Sequence, residues 1–211
     1  MSAIAEVIGY PSPRRHKAFF ENQLREVAKT TTSNQFNVLL LGAMSPSSIL
    51  DVLEIIKSSK LENSSLTVID ISRAPLKAAK IDLEKLAIKM GIRLNLVQGD
   101  LRTLSFQENY FNTVIGDQVY NFLSTKECVP ATRNIMNFII PGGRFVNVIA
   151  TFREKVPFFG SWDKRLVDNQ AGIFPDYTQV EKLRRPLNLQ TLLAGPLFGQ
   201  TAITIDKPIA R

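Results

Sequence analysis

Acidic residues follow the apolar runs of this chain at the points where buried strands would end. Asp70, Asp100 and Asp117 each come within three residues of a short run rich in Val, Ile and Leu. An unpaired carboxylate is costly inside a core, so these side chains are expected at the edge where the strands stop. Open α/β sheets bind their ligands along that edge. The spacing therefore predicts a ligand site lined with acids.

Histidine and cysteine each occur once, as His16 and Cys128. A zinc or other His/Cys metal site is therefore not expected, and a Ser-His-Asp or Cys-His relay would have to use His16, which lies outside every expected strand. We interpret His16 as a solvated or helix-capping residue and Cys128 as a small buried side chain rather than a nucleophile. A single cysteine excludes an internal disulfide and is consistent with a reducing compartment, so a cytoplasmic location is expected.

The turn after the first strand contains one glycine, Gly42, in the segment LGAMSPS from Leu41 to Ser47. A glycine here lets the backbone approach a ligand, and the start of the next helix offers free N–H groups. The segment is equally typical of a plain tight turn, with Ser45 or Ser47 capping the helix and Pro46 in its first turn. Taken alone, the turn leaves both interpretations open.

Asp70 also has two interpretations. A carboxylate at the end of a second strand can accept two hydrogen bonds from a ribose diol. Alternatively, Asp70 or Ser72 caps the helix that follows. Asp100 and Asp117 carry the same ambiguity, but helix capping alone does not require an acid at three consecutive strand ends. The set as a whole favours ligand binding.

Apolar periodicity predicts alternating helices and strands, which means parallel strands with helices on both faces. We expect an α/β doubly wound, mostly parallel sheet of six to seven strands. Whether a strand near Leu187–Leu193 pairs with the last one is left open. The expected helices are His16–Lys29, Ser47–Ser58, about Pro75 to Met90, and Cys128–Ile140, which a Pro141-Gly142-Gly143 turn closes. The expected strands are Phe36–Leu41, Leu66–Ile69, Ile92–Val97, Phe111–Ile115, Arg144–Ala150 and Thr201–Ile205.

The length of 211 residues predicts one domain. Its expected parts are a helical cap over 1–35, a ligand-binding core over 36–150, a cover over 151–186 and a strand region over 187–211. No apolar run approaches the roughly 20 residues of a membrane helix, so no membrane partner is expected. The net charge of +7 favours anionic partners, although its even spread favours a solvated basic surface.

Four segments of the chain resemble motifs of the class I S-adenosylmethionine-dependent methyltransferases. NVLLLGAMSPSS is similar to their first glycine loop and LTVIDIS to their ribose-binding acid. VQGDLRTLSFQENYFNTVIGDQVYNFL is similar to their adenine-side acid and the strand after it, and IMNFIIPGGRFV to their Pro-Gly-Gly turn. The resemblance extends from about Phe36 to Val148. It implies a Rossmann-like fold and S-adenosylmethionine as the cofactor.

The resemblance also implies roles for single residues. Asp70 would bind the ribose hydroxyls with Ile71 against the adenine, and Asp100 would bind the adenine amine with Leu101 packing nearby. Tyr10 would lie over the cofactor. The cofactor-binding residues that the resemblance implies are Gly42, Ala43, Met44, Asp70, Ile71, Asp100, Leu101, Asp117 and Gln118.

The methionine end of the cofactor would lie between two segments of the chain. The loop from Gly42 to Met44 would face its amino acid part, and Asp117 and Gln118 would lie beside the transferring methyl group. The usual family loop is G-x-G-x-G, whereas this chain has Gly42-Ala43-Met44-Ser45-Pro46.

The implied activity is methyl transfer by in-line displacement to a small molecule or another unidentified acceptor. A general base is needed only for a protonated acceptor, and the candidates are Asp117, Tyr120, Asp163 and Asp168. Two alternatives remain open. One is a non-catalytic domain of this fold that binds a ligand or partner. The other is a nucleic-acid methyltransferase, which the absence of a basic-aromatic stripe disfavours. The oligomeric state is open.

Overall fold

The computed structural model describes residues 13–31, 34–43, 45–117, 119–123, 125–151, 190–194 and 199–207. A short 3-10 helix, Pro13–His16, leads into the first α-helix, and a second 3-10 turn covers Val119–Phe122. The α-helices are α1 (Lys17–Thr30), α2 (Pro46–Ser58), α3 (Arg73–Met90) and α4 (Thr125–Phe138). The strands are β1 (Phe36–Leu41), β2 (Ser64–Asp70), β3 (Ile92–Gln98), β4 (Phe111–Asp117), β5 (Ile139–Thr151), β6 (Gln190–Ala194) and β7 (Gly199–Asp206).

All seven described strands form one sheet in the order β3-β2-β1-β4-β5-β7-β6. The first five run parallel, β7 is antiparallel to β5, and β6 is antiparallel to β7. The predicted doubly wound, mostly parallel α/β sheet is thus confirmed. The strand order reverses between β1 and β4, and open α/β sheets bind ligands beside such a reversal.

The central strands are buried on both faces, as their continuous apolar runs predict. Every residue of β1 is buried, and in β2 and β4 only the terminal aspartate is partly exposed. On one face the core packs against α1, α2 and α3, and on the other it packs mainly against α4. Because both faces are covered, the ends of the strands are where a ligand can reach the sheet.

The expected turn at Pro141-Gly142-Gly143 is wrong. These residues lie inside β5, which begins at Ile139 instead of Arg144, and α4 ends two residues earlier than expected. The strand continues through them because it has partners there. Gly142 N–H donates to Lys207 O and Lys207 N–H donates to Gly143 O, both at 2.9 Å. Gly142 has a φ of 80°, which glycine adopts without strain.

The strand that the sequence leaves undecided near Leu187–Leu193 exists as β6, and it pairs with β7 in the register Gln190↔Thr204 to Ala194↔Thr201. The cover predicted over 151–186 lies outside the described residues after Thr151, and so does Tyr10. The division of the chain into cap, core, cover and strand region stays a prediction.

Candidate functional site

The sheet register brings three predicted residues to one level. Leu41 at the end of β1 pairs with Ile69 on one side and with Gly116 on the other. The residues that follow, Gly42, Asp70 and Asp117, therefore lie side by side where three adjacent strands end. This edge contains the reversal of strand order. The geometry joins one glycine and two acids in the place where a sheet of this topology binds ligands.

Gly42 turns the chain from β1 toward α2 in the left-handed region, with a φ of +78°. Its N–H donates to Ile69 O at 2.8 Å, which ties the turn to the neighbouring strand. A Cβ added to Gly42 would meet no atom within 4 Å, so open space borders its backbone. Met44, the third residue of the predicted loop, lies outside the described residues.

The start of α2 has the predicted order but not the predicted cap. Ser45 occupies the N-cap position and Pro46 the first turn, yet Ser45 makes no side-chain capping bond. The Ser45 hydroxyl lies 2.6 Å from the hydroxyl of Ser47 instead. This pair of hydroxyls stands at a helix N-terminus, where backbone N–H groups favour an anionic group.

Asp70 connects two loops through its carboxylate. Oδ2 accepts a hydrogen bond from the N–H of buried Ala43 at 2.6 Å, and Oδ1 accepts one from Ser72 N–H at 2.6 Å. The N-cap position of α3 belongs to Ser72, which makes no side-chain capping bond. Each carboxylate oxygen has two lone pairs, so each keeps one for a ligand. This is the arrangement that a vicinal diol needs.

Ile71 follows directly and is 65% exposed, an unusual fraction for a large aliphatic side chain. It stands beside the Asp70 carboxylate, where a planar apolar group of a ligand would cover it. The loop that follows β3 is joined to the end of β2, because Gly99 N–H donates to Asp70 O at 3.0 Å. Leu101 is partly buried against the core on the α4 side.

Asp100 is held by a neighbour that the sequence interpretation missed. Its Oδ1 accepts hydrogen bonds from the backbone N–H and the Nε of Arg102, both at 2.9 Å. Its Oδ2 accepts one from Arg102 Nη2 at 2.6 Å. The hydrogen bonds from Arg102 hold the pKa of the Asp100 carboxyl below its usual range. Arg102 Nη1 also donates to Glu127 Oε1 at 2.9 Å, which brings the first turn of α4 to the site.

Two residues bordering Asp117 were also not anticipated. Asn147 on β5 pairs with Gly116 in the register and is fully buried. Its carboxamide makes no hydrogen bond in the part of the chain that the structure describes. A Cβ on Gly116 would lie inside the contact distance of Asn147 Oδ1 and 2.8 Å from Val119 Cγ1. Gly116 is therefore required by packing. Gln118 lies outside the described residues.

Tyr120, a candidate general base, lies in the core instead of in the site, and Cys128 is buried as predicted. Tyr120 is buried against Phe145, and its hydroxyl is hydrogen-bonded to Thr132. Burial raises the Tyr120 pKa, so this phenol is poorly suited to act as a base. Burial also raises the pKa of the Cys128 thiol to about 12, which fits a packing role. His16 occupies the N-cap position of α1 without a side-chain capping bond.

No group of three or more His, Cys, Asp or Glu side chains among the described residues could hold a metal ion. Within the same residues, no helix has both the length and the apolarity to cross a membrane. Asp163 and Asp168, the remaining candidates for a general base, fall in the segment after Thr151 that is not described.

A family model described as a methyltransferase domain matches residues 52–143, somewhat less than half of the chain. No curated protein matches the sequence. Solved structures share the fold at low identity. The arsenic(III) S-adenosylmethionine methyltransferase CrArsM of Chlamydomonas reinhardtii matches with a TM-score of 0.65 and 18% identity, over 94% of this chain and 75% of that one.

The N-methyltransferase NodS of Bradyrhizobium japonicum matches with a TM-score of 0.60 and 13% identity, over 92% of this chain and 96% of that one. The [4+2]-cyclase SpnF matches with a TM-score of 0.63 and 16% identity, over 93% and 82% of the two chains. At such identities these likenesses establish the fold only. Proteins whose names state different chemistries share it.

Proposed function

We propose that this chain is an S-adenosylmethionine-dependent methyltransferase of the class I family that acts on a small molecule, and the methyltransferase-domain model over residues 52–143 and the shared fold support this proposal. One observation carries the proposal. The register sets Gly42, Asp70 and Asp117 at the same level on adjacent strands, and the Asp70 carboxylate retains a lone pair on each oxygen for a ribose diol.

The residues present fit the proposed cofactor. Open space beside the backbone of Gly42 leaves room for its methionine part. Asp70 offers two acceptors for the ribose, exposed Ile71 offers an apolar surface for the adenine, and Asp100 offers a carboxylate for the adenine amine. The helix N-terminus with Ser45 and Ser47 suits the carboxylate of the methionine part.

S-adenosylmethionine, when bound, supplies a methyl group on a positively charged sulfur. The contribution of this chain is then mostly alignment, since positioning alone can supply about 7–11 kcal/mol of the barrier reduction in favourable cases. Ala43 N–H and Ser72 N–H hold the Asp70 carboxylate from two loops, so the ribose anchor has little freedom to move. Asp117 stands at the next strand end, where its negative charge favours a cationic group.

The acceptor side of the proposal rests on Asp117 and on the 3-10 turn after it. We infer a small polar acceptor that needs little help to lose a proton, because Tyr120, one of the predicted general bases, is buried in the core with a raised pKa. An acceptor that is already nucleophilic needs only alignment and the exclusion of water.

Calorimetric titration with S-adenosylmethionine and S-adenosylhomocysteine tests the proposal. We expect micromolar binding by the wild-type chain and affinity about 10- to 100-fold lower for Asp70→Asn, because one charged acceptor for the diol is lost. Asp82→Asn on the exposed surface of α3 is the matched control and should bind like the wild type. Absence of binding by the wild type at millimolar ligand would refute the proposal.

A second candidate, a non-catalytic domain that binds the same ligand, is favoured by the single glycine of the first loop. The two candidates differ in turnover. Incubation with methyl-labelled S-adenosylmethionine and a metabolite extract should transfer label to a small molecule if the chain is an enzyme. Tight binding of S-adenosylhomocysteine with no transfer of label would favour the second candidate.

A further inference from the structure

The guanidinium of Arg102 lies where an adenine amine would bind Asp100. We propose that Arg102 is an internal competitor, a positioning residue that sets cofactor affinity by occupying the acceptor sites of Asp100 until the cofactor displaces it. The inference rests on the proposed function, because it takes Asp100 as the residue that binds the adenine amine. It adds a residue, Arg102, and a second acid, Glu127, to the cofactor site.

The Asp100 carboxylate has few acceptor positions left for a ligand. A carboxylate offers about four lone-pair directions. Oδ1 of Asp100 accepts from the backbone N–H and from Nε of Arg102, both at 2.9 Å. Oδ2 accepts from Nε at 3.0 Å and from Nη2 at 2.6 Å. Three N–H groups therefore face the carboxylate, with the single Nε hydrogen shared between the two oxygens, so an incoming amine competes with the guanidinium for Oδ2.

Arg102 holds Asp100 through one fixed backbone contact and through a side chain that can move. The backbone N–H of Arg102 orients Oδ1 and does not depend on the arginine side chain. The contacts to Oδ2 come from the guanidinium alone. The side chain of Arg102 is 48% exposed, so it can leave without repacking of the core. Removing the guanidinium therefore frees Oδ2 while the carboxylate keeps its backbone anchor.

Glu127 offers the guanidinium of Arg102 a second carboxylate. Glu127 Oε1 already accepts from Arg102 Nη1 at 2.9 Å. Two arrangements follow, one with the guanidinium on both acids and one with it on Glu127 alone. Cofactor binding selects the second, because a ligand shifts an equilibrium toward the state to which it binds better. Glu127 thus helps to release Asp100 by sharing the charge of Arg102.

Variants of the two residues have effects of opposite sign. Arg102→Met should bind S-adenosylhomocysteine about two- to fivefold more tightly, the range that an exposed ion pair supports. Glu127→Gln should bind it more weakly, because the guanidinium then stays on Asp100. In the double variant the effect of Glu127→Gln should vanish. The matched control is Arg25→Met, which removes an equally exposed arginine from an ion pair with Glu21 and should leave affinity unchanged.

A ligand without the amino group separates competition from a general structural effect. The purine riboside analogue of S-adenosylhomocysteine carries hydrogen in place of the 6-amino group and has no N–H there to donate to Asp100, so its affinity should not rise in Arg102→Met. If the wild type binds S-adenosylhomocysteine and Arg102→Met binds it equally or more weakly, the inference is overturned and the proposed function stays intact. A gain of equal size for both ligands would also overturn it. No binding by the wild type or Arg102→Met would refute both proposals.

Discussion

Replacing Gly116 by alanine tests how the strand end that carries Asp117 is packed. The added Cβ would lie inside the contact distance of Asn147 Oδ1 and 2.8 Å from Val119 Cγ1. Asn147 is fully buried, and Val119 begins the 3-10 turn after Asp117, so neither neighbour can yield freely. Overpacking of this kind costs about 1–3 kcal/mol. For a chain of this length it lowers Tm by about 2–4 °C for each kcal/mol.

The same geometry predicts a specific suppressor. Asn147→Ala removes the closer of the two clashing groups, and it also removes a buried carboxamide that has no hydrogen bond within the described residues. We expect Asn147→Ala to be nearly neutral by itself, since the lost packing is offset by the lost desolvation penalty of about 1–3 kcal/mol. Gly116→Ala should therefore lower the free energy of unfolding by about 1 kcal/mol less when residue 147 is alanine than when it is asparagine.

Urea unfolding followed by circular dichroism, on the wild type, both single variants and the double variant, measures this coupling. Gly91→Ala is the control, because a Cβ at Gly91 meets no atom within 4 Å. Its effect should simply add to that of Asn147→Ala. Gly116→Ala as stable as the wild type would contradict this packing. An equal loss of free energy of unfolding in the wild-type and Asn147→Ala backgrounds would contradict it as well.

Three further predictions concern single groups. Gly42→Ala and Gly91→Ala should each lower the free energy of unfolding by about 1–2 kcal/mol, because both glycines have φ near +78°. Only Gly42→Ala should also weaken S-adenosylhomocysteine binding in calorimetry. Native Cys128, with a pKa raised to about 12, should react slowly with Ellman's reagent at pH 8 and quickly in urea. Its unfolded-state ionisation should lower stability above pH 9. The lowered Asp100 pKa stabilises the fold above pH 3.8, and acid titration should show this contribution fading below that pH and reduced in Arg102→Met, where only the backbone N–H contact remains.

Much of the fold could be predicted because its determinants are local. β1 was placed at its observed bounds, since a fully buried parallel strand is one continuous apolar run. The helix ending at Met90 was placed by Gly91, whose φ of 77° only glycine adopts easily. The Pro141-Gly142-Gly143 turn was wrong because its conformation depends on pairing with Lys207, a residue far along the chain.

The candidate site also contains residues that local sequence could identify and residues that it could not. The residues that follow the strands could be identified from local sequence, because an unpaired carboxylate is too costly inside an apolar run. An aspartate followed two residues later by an arginine was a local signal for the contact between Asp100 and Arg102, and it was overlooked. Glu127 and Asn147 had no such signal, since their partners come from other elements.

The way in which these strand ends meet depends on contacts between residues that are distant in the sequence. The sheet register set Gly42, Asp70 and Asp117 side by side, because parallel pairing fixes the level of each strand end relative to its neighbours. The packing of α4 against the sheet also brings Glu127 within hydrogen-bond distance of Arg102. The amino-acid pattern specified the acids and the glycine one strand at a time. Their assembly into one edge is a property of the folded sheet, because contacts distant in sequence form only when its core closes.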